Sequence, residues 1–169
     1  MAKPAQLGYQ DALDGIGEEK YWPAGQEIQW NCRSVKKLPA AYSFRGSLLV
    51  GGVQPEGLFI ELYYKSSPIP GVPASIKLGL LVRNCLVMAL HENGPSRHQN
   101  HVGAGLPHYR EIIDHPHFHI PVVDASYGYC EPVRRLPVED LWHYFLSRAN
   151  IIGAPKLNLP GGDQGELNL

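Results

Sequence analysis

Glycine and proline interrupt this chain too often for a helical fold. Its 169 residues include 18 glycines and 15 prolines, about one residue in five where average usage is ~12%. Proline breaks helix interiors and glycine weakens them, so short strands joined by turns are expected. Apolar residues make up 44% of the chain, enough for one hydrophobic core and too many for a disordered polymer. Basic and acidic side chains nearly cancel, 15 against 16, for a net charge of −1. That balance argues against a nucleic-acid binder working by charge, which needs a basic surplus to displace counterions.

Strand signals begin at Glu27. Ile28, Trp30 and Cys32 alternate with polar residues, and Tyr42, Phe44, Leu48 and Val50 mark a second segment before Gly51-Gly52. The clearest segment is Leu58 to Lys65, with Leu58, Ile60, Leu62 and Tyr64 on one face of a period-two strand. A proline-rich link, Ser67 to Pro73, leads to Ile76, Leu78, Leu80 and Val82, again one face, then to a tight turn at Arg83-Asn84. Cys85 to Leu90 is continuously apolar and reads as a central strand. A strand from His117 to Val123 follows a long polar stretch, 91–114, that holds at most one helical turn opened by Pro107. One helix is expected from about Pro137 to Ala149, with Glu139 and Asp140 at its positive end and Leu141, Trp142, Phe145 and Leu146 as its apolar stripe. The expected fold is α+β: an antiparallel β-meander of about five to six strands with one C-terminal helix packed on it. Residues 1–25 read as an N-terminal arm, 26–159 as a single domain and 160–169 as a flexible tail.

Neither a signal-peptide core nor a membrane-spanning apolar run is present, and Cys32, Cys85 and Cys130 form no CxxC pair. The expectation is a cytoplasmic protein with reduced thiols and no membrane partner. Cys32 and Cys85 read as small core residues, and Cys130 as an accessible loop residue.

Seven of the 8 histidines fall between His91 and His119. In the extended run Asp114-His115-Pro116-His117-Phe118-His119-Ile120-Pro121, the three imidazoles share one side, while Phe118, Ile120 and Val122 share the other. The apolar side belongs in the core, so the histidines should face a cleft or water. Two histidines at i, i+2 can grip one ion, whereas His115 and His119 stand ~13 Å apart at ~3.3 Å per residue. The expected metal set is therefore His117 and His119 with a distant ligand, chosen above all from His101 and Asp114; His98, His108 and Asp124 are alternatives. Zn²⁺ or another divalent transition metal suits such ligands. Arg110 and Arg134 are the expected anion-binding residues, with Arg97 and Arg135 nearby. With so many imidazoles together, a fall from pH 7 to 6 should make the metal-free region strongly positive, given an unperturbed pKa of ~6.5.

The run His115-Pro116-His117-Phe118-His119-Ile120-Pro121 resembles the strand of the histidine-triad nucleotide hydrolases and transferases. That resemblance implies a phosphorus-attacking nucleophile at His117, flanked by His115 and His119. The residues upstream, Tyr109 to Asp114, replace the small Gly/Ser-containing stretch of that family. The order of meander, proline link, His115-Pro116, Cys130 and helix also resembles the ubiquitin-conjugating enzymes, implying a thioester carrier at Cys130. Here His117 stands where that family has Asn, and the gap to the cysteine is longer.

The function expected from sequence is a metal- or histidine-dependent hydrolase of phosphoesters or nucleotides, with His117, His119 and His115 catalytic. The alternatives are a non-catalytic β-rich module that binds a protein partner and, behind it, the thioester carrier. GxxxxGK, GxGxxG, HExxH and GxSxG motifs are all missing.

Overall fold

The computed structural model describes residues 6–33, 36–94 and 97–161. Helix α1 (Tyr9–Gly17) and strand β1 (Lys20–Tyr21) come first, followed by β2 (Asn31–Cys32), β3 (Ala41–Ser47), β4 (Phe59–Lys65), β5 (Ser75–Val82) and β6 (Cys85–His91). Two short strands, β7 (His98–Gln99) and β8 (Ile112–Ile113), precede β9 (His117–Val122) and β10 (Ala125–Pro132). Helix α2 (Val138–Arg148) and β11 (Ile151–Ile152) complete the order. Residues 162–169 of the expected tail lie outside the described residues.

A seven-stranded sheet in the order β10-β9-β6-β5-β4-β3-β2 dominates the fold, and every pairing in it is antiparallel. The architecture is the expected α+β meander with a C-terminal helix. Alternation builds its inner face: Ile60, Leu62, Ile76, Leu78, Leu80, Leu90 and Phe118 are all buried in one core. Each such side chain contributes ~1.5–3 kcal/mol on removal from water. Arg83 and Asn84 have φ of 49° and 62°, the paired left-handed conformation of a type I′ hairpin turn between β5 and β6. A register shift after Leu80 lets Val87 and Met88 both join the core and leaves Leu86 on the outer face beside Gly79.

Helix α2 lies against the inner face. Phe118 meets Tyr144 and Phe145 edge-on at 5.5 and 6.4 Å between ring centroids. Trp142 meets Trp22 edge-on at 6.3 Å and donates from Nε1 to Pro155 O at 2.9 Å. Helix α1 packs on β5, β6 and β9 with Ala12 wholly buried. Gly15 permits this approach, since a Cβ there would lie 2.7 Å from Val82 Cγ1. Lys20 fastens the two ends of the chain. Its buried Nζ donates to Ile16 O, Glu18 O and Ala149 O at 2.9, 2.7 and 2.9 Å, a cation at the C-terminal ends of both helices. β1 then pairs with β11 in parallel.

Three local expectations are corrected. Pro107 opens no helical turn, because His108 and Arg110 each have φ of 65° and right-handed helix cannot pass through them. Cys32 is exposed rather than in the core. Cys130 is a wholly buried residue of β10, not a loop residue; Gly128 at φ 124° and a register shift between Ala125 and Tyr129 break the alternation that would have marked this strand. No helix among the described residues is long and apolar enough to cross a membrane.

Candidate metal centre

The outer face of the sheet carries two ranks of registered residues. Ser43, Tyr63, Lys77, His91 and His117 form one rank from β3 to β9. Arg45, Glu61, Gly79, Ala89, His119 and Cys130 form the next, reaching β10. The β9 alternation that sends Phe118 into the core thus places His117 and His119 on the opposite face, as expected. The finding beyond expectation is their burial: His117 is 1% and His119 2% exposed.

The covering layer is the segment from Arg97 to Ile113, pinned to β10. Asn100, itself fully buried, accepts from Cys130 N–H at 2.8 Å and donates to Cys130 O at 2.9 Å and His108 O at 3.0 Å. Gly103 N–H donates to both oxygens of Asp124 at 3.0 and 3.1 Å. Tyr129 adds a hydroxyl bond to Pro107 O. These bonds hold His98 over β9, with its ring 4.7 Å from that of His119.

A 220 Å³ cavity lies beneath, lined by His91, His98, His115, His117 and His119 together with Lys77, Arg97 and Tyr127. His91 faces His117 directly across the β6–β9 ladder, and its ring is 5.2 Å from His117 and 4.7 Å from His119. Coordinating atoms of His91, His117 and His119 all lie within 4.8 Å of one another, so an ion ~2.0–2.1 Å from each nitrogen is within reach once the rings close on it. His117 Nδ1 donates to Asp114 O at 3.2 Å, which leaves the lone pair on Nε2. That nitrogen is buried without a hydrogen-bond partner, as are both ring nitrogens of His119. Unpartnered buried polar atoms are costly, and a ring anchored through one nitrogen with the other left open is the usual arrangement of a metal-ligating histidine.

Burial sets the protonation state. It depresses the pKa of His91 to about 3, with His117 and Lys77 adding to the effect. His117 falls to about 4 through burial, opposed by its bond to the Asp114 carbonyl. His119 falls to about 2 through burial, then the proximity of His91 and His117. The neutral rings keep lone pairs for an ion. For these three rings the expected charging between pH 7 and 6 is therefore corrected, because that expectation assumed solvated imidazoles. His115 is also lowered by burial. Tyr127 stacks on His119 at 4.8 Å and 19°, and burial pushes its phenol up to about 12, leaving it a hydrogen-bond donor.

Compared with known proteins, the chain matches no family model, no curated protein and no solved structure. The site must be read from its own chemistry.

Of the residues singled out in the sequence, Arg97, His98, His115, His117 and His119 come together around the cavity. His101, His108, Asp114, Asp124, Arg110, Arg134 and Arg135 do not line it. His101 is exposed in the covering segment. Asp114 keeps its carboxylate 75% exposed, with one oxygen 3.9 Å from His115 Nδ1, and meets His117 through its backbone oxygen. Arg110 lies over the Tyr109 ring at 5.3 Å, and Arg134 is exposed beyond β10. Of the named arginines only Arg97 lines the cavity, and Lys77 joins it there. His91 is the histidine of this cluster that was not placed there from the sequence. Its signal was the two-residue period of β6, which carries Ala89 and His91 on the face opposite Met88 and Leu90.

Proposed function

We propose that the protein is a divalent-metal enzyme whose ion is held by His91, His117 and His119 and whose substrate is a small phosphorylated molecule. The observation that carries this reading is the trio of unpartnered, buried ring nitrogens on His117 and His119, set beside His91 at the wall of a cavity. Three protein ligands with a position open to a cavity are the pattern of catalytic zinc, whereas structural sites are closed by a fourth protein ligand. The ion is Zn²⁺ or a neighbouring transition metal, since imidazole ligands suit these.

Lys77 and Arg97 favour an anionic substrate at that opening. A trough of 730 Å³ runs from the cavity along the outer sheet face, shares Lys77 and His91 with it, and is walled by Arg33, Arg45, Glu61 and Tyr63. It offers room for the rest of a nucleotide-sized molecule. The reaction is phosphoester hydrolysis. An ion held by the three histidines would supply a Lewis acid and an activated water there; neutral His115 would accept the proton of the attacking water and return it to the ester oxygen as its bond to phosphorus breaks. Lys77 and Arg97 hold the non-bridging oxygens. Direct attack by His117 is less well supported, because its Nε2 belongs to the ligand set. Cys130 is a poor candidate for a thioester carrier, because burial pushes its thiol up to about 12.

The test is turnover of a panel of phosphomonoesters, phosphodiesters and nucleotides by protein loaded with Zn²⁺, Mn²⁺ or Co²⁺. Turnover that a chelator and His117→Ala both abolish, with a raised KM in Lys77→Ala, is expected. Metal-loaded protein that is inert toward the whole panel contradicts the hydrolase reading.

A further inference from the structure

We propose that His98, His119 and Cys130 form a second metal position beside the first, containing a thiolate and sharing His119 with the three-histidine centre. The shared ligand makes this inference rest on that centre. Coordinating atoms of His98, His119 and Cys130 also lie within 4.8 Å of one another. Three further observations point to an ion there.

His98 Nε2 lies 2.8 Å from Gly128 O. A carbonyl only accepts, so Nε2 carries the proton and Nδ1 keeps its lone pair. Cys130 is the register partner of His119 across β9 and β10, and its N–H and C=O are both held by the Asn100 amide. The thiol is therefore placed by a fixed backbone. Finally, His119 has two buried ring nitrogens and no hydrogen-bond partner for either. A neutral imidazole carries one N–H and one lone pair, so a single ion would satisfy one nitrogen and leave the other orphaned.

Two ions satisfy both. The His119 ring then bridges them as an imidazolate, with its N–H proton released to solvent. Cys130 releases its thiol proton in the same way and binds as the thiolate. Neither metal changes oxidation state. His98 and His119 line the cavity and Cys130 does not, so the thiolate reaches the second ion from the β10 side. The task of that ion is to fix and charge the ligand His119. A thiophilic divalent ion, Zn²⁺ above all, fits this mixed sulfur and nitrogen set.

The experiment is a Co²⁺ titration of the untagged full chain, followed by absorption, and X-ray absorption of the Zn²⁺-loaded protein. About two equivalents are expected, one bringing sulfur-to-cobalt charge-transfer absorption, with a sulfur shell at ~2.3 Å beside nitrogen at ~2.0–2.1 Å in the zinc spectrum. Cys130→Ser loses one equivalent and the sulfur band; His91→Ala keeps the band. The wild-type zinc spectrum decides the matter even where a variant fails to fold. One equivalent with nitrogen ligands only overturns the second position and leaves the three-histidine centre standing. One equivalent that carries the sulfur band overturns the shared arrangement, and no uptake at all overturns both centres.

Discussion

His91 and His117 are direct partners in the β6–β9 ladder, with ring centroids 5.2 Å apart although 26 positions separate them in the chain. The pairing turns a two-histidine strand into a three-histidine site. It comes about because the chain leaves the sheet after β6, forms the covering segment, and returns beside the strand it left. His91→Ala should therefore weaken metal affinity by more than the ~10–100-fold typical of losing an outer-shell partner, while His101→Ala should leave it unchanged. Competition against a chromophoric chelator reads both. Equal affinities in the two variants would contradict the assignment of His91.

Asn100 should matter through position rather than contact with the ion. Its amide makes three bonds, two of them to the backbone of Cys130. Asn100→Ala leaves the buried Cys130 N–H without that partner, which should destabilise the protein by ~1–3 kcal/mol. Hydrogen exchange should rise across 97–113 before it rises in β4 or β5. Uniform exchange across these regions would mean that the amide does not pin the cover.

Low pH should destabilise the metal-free protein. His91, His117 and His119 are held at about 3, 4 and 2 in the fold, below the ~6.5 of an unfolded chain. Above pH 6.5 both states are neutral and the stability is fully present. As pH falls below 6.5 the unfolded chain takes up protons first, so stability drops by up to ~1.4 kcal/mol per pH unit for each ring, flattening as the folded-state values are passed. Urea unfolding of metal-free protein at pH 7.5, 6.5 and 5.5 measures this slope, and His119→Phe should reduce it. A flat profile from pH 7.5 to 5.5 would show that the rings are solvated.

Lys20 separates fold from site. Burial lowers its pKa to about 8, which leaves the ammonium charged at neutral pH to serve its three carbonyl acceptors. Lys20→Met keeps most of the stem and removes those bonds, so a loss of about 2–4 kcal/mol is expected, with metal stoichiometry unchanged. Thermal unfolding and elemental analysis of the same sample report the two effects. Unaltered stability would show that the three carbonyls find water instead.

Much of the fold was legible because period-two alternation is a local property. Leu58, Ile60, Leu62 and Tyr64, then Ile76, Leu78, Leu80 and Val82, announced their strands and shared face, and Pro137 with Glu139 and Asp140 announced the start of α2. β10 was hidden because Gly128 and the adjacent register shift disturb its alternation. The face carrying His117 and His119 was legible too, since Phe118 could only point into the core. The third histidine of the cluster was not. Which loop histidine reaches that face depends on strand order and register, and His91 is contributed by a sheet partner rather than by the covering segment. Asp114 and His101 look equally eligible by composition, yet one turns its carboxylate to solvent and the other lies exposed. The burial of the site was also invisible, because it depends on Asn100 meeting the backbone of a residue thirty positions away.

The most direct measurement is the metal content of untagged protein, purified without chelator and analysed for all transition metals, with His117→Ala alongside. At least about one tightly held equivalent of Zn²⁺ or a related ion is predicted for the wild type, falling by about one equivalent in the variant while its circular dichroism is retained. Less than about a tenth of an equivalent in the wild type, before and after incubation with Zn²⁺, Mn²⁺ and Co²⁺, would contradict the metal centre.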